Sequence, residues 1–397
     1  MSDCAVAVAG AGIAGLTAAL SFAAKGFSVT VIEKAAHLDE IGAGLQLSPN
    51  ATRVLDRLGV LDRLSGNAVE PRGIVLRDAA SLASLACIPL DAAEKRWGAP
   101  YLVAHRADLQ RVLLERVREK ENITLETGVA VRGATFGRTG VTVELDRSPV
   151  ERRLAAGLLV AADGVWSALR PLANANRSRF TGHIAFRAVM SRRSAGLDHL
   201  TQPDTVTAFL APDFHVVAYP LRGGEEINLV AVTKGGEIRP DWSNDADTAH
   251  LARATARAAP ALSHLIENTQ AWSAWPIHAV EGDGPWTHPG GLALIGDAAH
   301  ALTPHAAQGA AMAIEDAALL AELAAHASDT ETLLGTFERL RRPRIRRVAR
   351  RGAFNRFVWH AGGPVALARN LALRLRSPER LAADMDWLYG YDVKTER

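Results

Sequence analysis

Residues 5–33 run Ala5-Val6-Ala7-Val8-Ala9-Gly10-Ala11-Gly12-Ile13-Ala14-Gly15 and continue to Val29-Thr30-Val31-Ile32-Glu33. A short apolar run suited to a buried strand enters a glycine turn. A helical pattern then extends from Ile13 to Lys25, Gly26 stands where a helix C-terminal glycine belongs, and Ser28 to Ile32 form a second strand pattern. This is half of a nucleotide-binding βαβ unit. Gly10 permits the tight turn, Gly12 lets the backbone approach a pyrophosphate, and Gly15 lets the helix pack on the strand, while the helix N-terminus presents unpaired N–H groups to phosphates. Glu33 closes the second strand, where a carboxylate can bind ribose hydroxyls.

At 397 residues the chain is long for one small core, and length alone suggests about two or three domains. With 48% hydrophobic and 22% charged residues its composition is that of a globular protein, and a net charge of +2 carries no message about partners. The arginine-rich run at 339–351 alternates with Leu340, Ile345 and Val348, a pattern that favours a solvated helix face over a nucleic-acid site. Cys4 and Cys87 are too few for a disulfide framework or a metal cluster, so no metal is expected and a reducing compartment is. Asp3 stands where a signal peptide needs basic residues, and no apolar run reaches the length of a membrane span. The expected location is cytoplasmic.

Further along, Ile41-Gly42-Ala43-Gly44 precedes Ser48-Pro49, a helix start with Ser48 as the cap and Val54, Leu55 and Leu58 on one face. Two strand patterns flank Asp78-Ala79-Ala80-Ser81 as a hairpin. His105-Arg106-Ala107-Asp108-Leu109 opens another helix. A cation at that position opposes the helix dipole, which a nearby anion would relieve, although a solvent-exposed arginine is an equal reading. Strand patterns from 123 to 145 return to the continuous apolar run Leu158-Leu159-Val160-Ala161-Ala162, which ends in Asp163-Gly164, with Ser167 able to cap the segment leading to Arg170. Strand C-termini of this kind are where open α/β sheets place ligands.

Residues 180–233 are mostly strand patterns, pointing to an antiparallel second layer that could cover the nucleotide site. In Phe214-His215-Val216-Val217-Ala218-Tyr219, alternation puts His215, Val217 and Tyr219 on one face, with His215 and Tyr219 about 13 Å apart. They could address different parts of one pocket; a surface histidine beside a packed tyrosine is the plainer alternative. A last buried strand ends in Gly296-Asp297-Ala298-Ala299-His300, then Thr303-Pro304-His305-Ala306-Ala307-Gln308-Gly309-Ala310 leads into a helix from about 309 to 326. A second helix is expected over 328–351. Residues 352–397 are expected to form a helical cover anchored by Trp359, Trp387 and Tyr389, with no chemistry of its own.

Together, Gly10 to Gly15 with Glu33, Ala162-Asp163-Gly164, and Gly296 to His300 resemble the three fingerprints of the single-component flavoprotein aromatic hydroxylases, the salicylate hydroxylase-like group. The resemblance spans nearly the whole chain. It implies an α/β fold: a Rossmann-like FAD-binding domain (1–178, with inserted strands near 72–103, resuming at 281–351), a mostly antiparallel substrate-binding sheet (179–280) and a helical C-terminal segment (352–397). It also implies a monooxygenase that hydroxylates a small phenolic or N-heteroaromatic acid with NADH or NADPH and O2 through a flavin C4a-hydroperoxide. The implied cofactor-binding set is Gly10, Gly12, Ile13, Ala14, Gly15, Glu33, Lys34, Gly44, Arg106, Asp163, Gly164, Gly296, Asp297, Pro304, Gln308, Gly309 and Ala310. Asp163-Gly164 would lie near the pyrophosphate and help accommodate the pyridine nucleotide, and Pro304 would sit beside the isoalloxazine. His215 and Tyr219 resemble a catalytic base and its partner, with His305 facing substrate, and Arg187 is a candidate for a substrate carboxylate. The protein would be a monomer or homodimer without nucleic-acid or membrane-spanning partners. Two alternatives remain: a flavin halogenase, because Trp272-Ser273-Ala274-Trp275-Pro276-Ile277 is faintly similar to a tryptophan-rich motif of that class, and a non-catalytic flavin redox sensor.

Overall fold

A computed structural model of the chain describes residues 5–38, 43–137, 140–147, 150–194, 200–237 and 244–395; Ile41 and Gly42 lie outside them. The strand Val6–Ala9 is buried at all four positions and runs parallel to Val29–Glu33 on one side and Leu158–Ala161 on the other. The full six-stranded order is Thr287–His288, Leu292–Leu294, Leu158–Ala161, Val6–Ala9, Val29–Glu33, Ile123–Thr127. Thus the strands that lead into the three sequence motifs are immediate neighbours. Parallel pairing sets Ala9 beside Ala161 and Ala161 beside Leu294, so the three turns after these strands emerge at one edge of the sheet.

Two glycines are required by this packing. Gly10 has φ +106°, and a Cβ there would come within 2.5 Å of the Ala162 carbonyl oxygen. At Gly15 a Cβ would lie 1.9 Å from the Gly10 carbonyl oxygen, so the helix Ile13–Ala23 can lie on its strand only without that carbon.

The second layer is an eight-stranded sheet in the order Asn244–Asp245, Ser273–Ala279, Arg179–Ser191, Glu226–Lys234, Phe214–Leu221, Thr205–Leu210, Gly73–Asp78, Ser84–Pro89. Its pairings are antiparallel except where Thr205–Leu210 meets Gly73–Asp78. The 73–89 hairpin, grouped by sequence position with the nucleotide-binding segment, is therefore hydrogen-bonded to the second sheet; alternation reveals a strand but not its partner. One face of this sheet buries Phe186, Phe214, Val216 and Leu229 against Leu251, Leu262 and Ile266 of the helices Thr248–Thr255 and Pro260–Asn268. Its other face turns toward the nucleotide-binding layer, where Tyr219 and Leu221 join that layer's core.

The helix Gly309–His326 matches expectation, but the next one runs from Thr330 to Trp359, past Pro343 and beyond the expected end near 351. Its arginines are also not all solvated. Arg341 and Arg344 are buried against Glu315 and Asp316. Arg341 donates to Asp316 and Glu315 at 2.7 Å each, and Arg344 donates to both Glu315 oxygens at 2.7 and 2.8 Å. Asp316 also accepts from the Gly296 N–H at 2.9 Å and pairs with His300 at 2.6 Å. Although burial pushes its pKa up, His300 and Arg341 hold the Asp316 carboxyl at about 2. The same centre reaches Asn50, which donates to Glu315 at 2.6 Å. Ser48 is drawn in as well: its hydroxyl donates to Asn50 and accepts from Gln308 instead of capping the helix Pro49–Arg57.

Removing one partner leaves buried charge uncompensated. Arg341→Met is expected to destabilise the fold by about 3–5 kcal/mol, read from the urea midpoint of the purified protein.

Candidate active site

Two of the three adjacent turns, those after Ala161 and Leu294, are locked together by Arg170, a residue with no distinguishing pattern in the sequence. Its guanidinium donates to the carbonyls of Val165 (2.6 Å), Asp297 (2.6 Å), Ala298 (2.7 Å) and Gly164 (3.3 Å). Glu33 accepts from the Ala11 N–H at 2.8 Å and the Ala35 N–H at 2.9 Å, while Gln110 donates to the Ala11 carbonyl at 3.2 Å. The glycine turn is thus held from two sides. Each Glu33 oxygen keeps a further lone pair for a ribose hydroxyl.

Around these turns the surface is shaped for a diphosphate-linked ligand. A Cβ at Gly12, Gly164 or Gly309 would meet nothing within 4 Å, so bare backbone faces open space. One oxygen of Asp163 accepts from the Ala168 N–H at 2.9 Å; its other oxygen is buried without a partner, and burial raises its pKa. Asp297 is exposed at the start of the helix Asp297–His300, Lys34 is exposed beyond the second strand, and Ile13 and Ala14 form the first turn of their helix. Arg106 opens the helix Arg106–Arg118, whose cap is the His105 imidazole accepting from the Ala107 N–H at 3.2 Å. Pro304 begins the short turn Pro304–Ala306, and Gly309 and Ala310 start the helix after it. These residues fit a bound FAD: amides and small residues for the diphosphate, carboxylates for the ribose and ribityl hydroxyls. Two members of the expected set also have structural roles. The Gln308 side chain is held by Ser48 and Asn50, and Gly44 makes room for Tyr219, whose Cε2 would lie 2.6 Å from a Cβ.

Opposite these turns, the inward face of the second sheet can be followed by its register. Ala185, Val232 and His215 align across three strands, then Arg187, Val230 and Val217, then Val189, Asn228 and Tyr219. Side chains opposite each other on a ladder share a face. Between the His215 and Arg187 strands this face is apolar, with Val230 and Val232 beside Ala185 and Val217, and Trp275 and Ile277 continue it on the next strand beyond that of Arg187.

At one end His215 meets His305 and His360. The His215 Nδ1 and His360 Nε2 atoms are 3.0 Å apart, and the His305 ring centroid lies 5.2 Å from that of His215. Trp359 packs edge-on against His215 at 5.0 Å. Burial, together with the neighbouring imidazoles, lowers the pKa of all three rings: His215 falls well below its ordinary value, His305 to about 3 and His360 to about 4. Both His305 nitrogens are buried without a hydrogen-bond partner. The donor nitrogens of the three rings lie within 4.8 Å of one another, a grouping that would also suit a metal ion, although two of them are already paired. The partner of His215 is thus His360, which the sequence placed in a cover without chemistry, and not Tyr219.

At the other end Tyr219 lies near Asn228 and Arg187. Burial raises its phenol pKa, opposed by Arg187 and Asn228. Asn228 accepts from the Gly44 N–H at 2.6 Å, and its amide nitrogen has no partner. The Arg187 guanidinium lies over the Trp275 ring at 5.2 Å and has no carboxylate partner among the described residues. Burial, then Arg106, lowers its pKa. Of the residues added by the structure, His360 had no signal in sequence, lying 145 positions from its partner; Asn228 and Arg170 look like ordinary strand and turn residues there.

Comparison with known proteins agrees with this geometry. The family model for the FAD binding domain matches residues 3–352, and the chain belongs to that family. It is 35% identical to 3-hydroxybenzoate 6-hydroxylase of Polaromonas naphthalenivorans over 99% of this chain and 97% of the relative. The structure resembles Klebsiella pneumoniae HpxO complexed with FAD and uric acid, with a TM-score of 0.84 and 26% identity over 97% and 96% of the two chains. It also resembles a salicylate hydroxylase substrate complex, with a TM-score of 0.80 and 25% identity over 100% and 97%. The chain is therefore an FAD-dependent monooxygenase of the aromatic hydroxylase type, and the halogenase alternative finds no support. The segment behind that alternative lies largely in the return strand Ser273–Ala279, and its Trp275 backs Arg187.

The folded His305 and His360 titrate near 3 and 4, whereas unfolded imidazoles titrate near 6.5, so the unfolded chain binds more protons between those values. Their contribution to stability is complete above about pH 6.5 and declines as pH falls toward 4. The double variant His305→Gln/His360→Gln should show a flatter dependence of the urea midpoint on pH across that window.

Proposed function

We propose that this chain hydroxylates a small phenolic or N-heteroaromatic carboxylic acid at the expense of NADH or NADPH and O2, with His215 accepting the phenol proton and Arg187 receiving the carboxylate. The observation that carries this reading is the inward sheet face itself. A neutral, buried imidazole stands at one end, a guanidinium without a carboxylate partner at the other, and an apolar floor lies between them. Strand geometry puts the Cα atoms of His215 and Arg187 about 12 Å apart, a span that inward-pointing side chains reduce to roughly one substituted ring. The hydroxybenzoate named for the Polaromonas relative has this combination of phenol and carboxylate.

Bound FAD supplies the oxygen-activating chemistry. The protein's part is to hold the ring, exclude water and move a proton. Val217, Val230 and Val232 offer a dry surface to one ring face. A neutral imidazole can take the phenol proton, and the phenolate so formed stabilises the imidazolium beside it, offsetting the burial that otherwise disfavours charge. Loss of that proton makes the ring a better nucleophile. His360, at 3.0 Å, can share the proton and fix the orientation of the His215 ring. Tyr219 and Asn228 stand at the carboxylate end as further hydrogen-bonding groups. We place the enzyme in the cytoplasm as a monomer or homodimer; no described helix is long and apolar enough to cross a membrane.

The test is NAD(P)H consumption by the purified FAD-loaded protein over a panel of hydroxyaromatic acids, with peroxide release recorded alongside. One compound should stimulate consumption with little peroxide. His215→Ala should keep substrate binding but lose most hydroxylated product and shift the pH profile, an effect of about 10²–10⁴-fold for a lost general base. Arg187→Gln should raise the KM of a carboxylate substrate about tenfold or more while sparing the corresponding phenol without a carboxylate. Full coupled activity in His215→Ala would remove that residue from the mechanism, and no stimulation by any aromatic would remove the proposal.

A further inference from the structure

Three histidines from three separate elements converge at the proton end of the substrate face. His215 comes from the strand Phe214–Leu221, His305 from the short turn Pro304–Ala306, and His360 caps the C-terminus of the helix Thr330–Trp359. One nitrogen of each ring lies within 4.8 Å of the other two. The backbones that carry two of them are tied in place. The Asn355 side chain, from the same helix, donates to the His305 carbonyl at 2.9 Å, and Arg369 donates to the Val358 and Trp359 carbonyls at 3.0 and 3.1 Å. His183 stands at the margin: its Nδ1–H donates to the Thr181 carbonyl at 3.0 Å, and its ring lies nearly parallel to that of His360 at 6.3 Å.

We propose that His215, His305 and His360 form a binding site for one zinc ion, which switches hydroxylation off by occupying the base. The inhibitory effect rests on the hydroxylase reading above; the binding of the ion does not. Donor chemistry is the first support. Three imidazoles with a fourth position left open are an established zinc arrangement, and burial keeps these rings in the neutral form that ligates. Geometry is the second. A tetrahedral zinc with nitrogens at about 2.0–2.1 Å sets them roughly 3.3–3.4 Å from one another. The His215–His360 pair at 3.0 Å then opens by a few tenths of an ångström. The remaining separations close by at most about 1.5 Å, within reach of side-chain rotation. The third support is His305 itself, 2% exposed, with neither nitrogen paired to a protein group. A buried polar side chain of this kind calls for a partner, and a metal bond supplies one.

The existing His215–His360 hydrogen bond does not stand in the way. The one proton between those two nitrogens moves to the outer nitrogen of its own ring, so each imidazole stays neutral and no proton leaves the site. Lys234 and Arg356 oppose a cation here while Asp213 favours one, so hydroxide or a phenolate in the fourth position completes the charge balance. The consequence for chemistry is direct. An imidazole with a metal on one nitrogen and a proton on the other has no lone pair left, so zinc-bound His215 cannot accept the phenol proton. A substrate phenolate that enters the fourth position gives the metal the electron density that makes the ring a nucleophile. Hydroxylation stops in either case, although the substrate still fits the face.

The experiment is titration of the FAD-loaded, chelator-treated enzyme with cobalt(II), a coloured stand-in for zinc, and with zinc itself. The wild type should bind one ion with the ligand-field spectrum of a four-coordinate site, and hydroxyaromatic acids should shift that spectrum. His305→Gln and His360→Gln, each still carrying FAD, should raise the Kd by about tenfold or more. His326→Gln, at an exposed histidine beside Glu322, should leave it unchanged. With the aromatic that stimulates coupled turnover, zinc at the concentration that fills the site should suppress hydroxylation about 10²–10⁴-fold, and chelation should restore it. Absence of binding, equal affinity in the wild type and both variants, or a cobalt spectrum that no aromatic shifts overturns the site. Full hydroxylation with the site filled, or hydroxylation that requires zinc, overturns the inhibition. If cobalt binds as described but even the chelator-treated enzyme hydroxylates no aromatic, the hydroxylase proposal fails and the metal site stands, which separates the two.

Discussion

The buried ion cluster of Glu315 and Asp316 with Arg341 and Arg344 is the constraint on which the rest of the arrangement depends. It joins three things that the chain supplies far apart: the turn at Gly296, the loop around Ser48 and Asn50, and the helix Thr330–Trp359. Burying four charges is costly, and such a cluster persists only when nearly every oxygen and nitrogen has a partner. Here the carboxylates accept from guanidiniums, an imidazole, an amide side chain and a backbone N–H. Its geometry fixes where the long helix lies, and hence where that helix delivers His360 at its end and the arginine series along its side.

The site is assembled between two layers with different jobs. The nucleotide-binding layer contributes backbone and small residues, because a cofactor with two phosphates and a flat ring must approach the main chain closely. The antiparallel layer contributes side chains on a register that separates proton chemistry from charge recognition: His215 on one row, Arg187 on the next, valines between them. Burial acts in opposite senses on these groups. It keeps the histidines neutral and so able to accept a proton, while it leaves Arg187 in need of an anion. A ligand bearing a phenol and a carboxylate answers both demands at once.

Much of this was legible in the chain before folding. The glycine turn with Glu33, the Asp163-Gly164 turn and the Gly296-Asp297 turn each come after a buried-strand pattern, and local patterning is what glycine conformation and strand burial report. The alternation of the 214–221 strand likewise put His215 and Tyr219 on one face correctly. What alternation could not report was the partner across the gap. Local patterning leaves His360 in a cover without chemistry, makes Ser48 a helix cap, and sets Arg341 and Arg344 on a solvated surface.

By itself, then, the sequence determined the class of fold, the order of its nucleotide-binding turns and the kinds of side chain available for chemistry, because strand period, helix caps and glycine turns are set by residues near one another in the chain. Only the tertiary structure decided which of those side chains meet. The pairing of His215 with His360 spans 145 positions, and the contact between Asn50 and Glu315 spans 265; both depend on the packing of whole layers, which no local pattern encodes. The protonation states of the histidines have the same cause, since desolvation belongs to the folded interior and not to the residue.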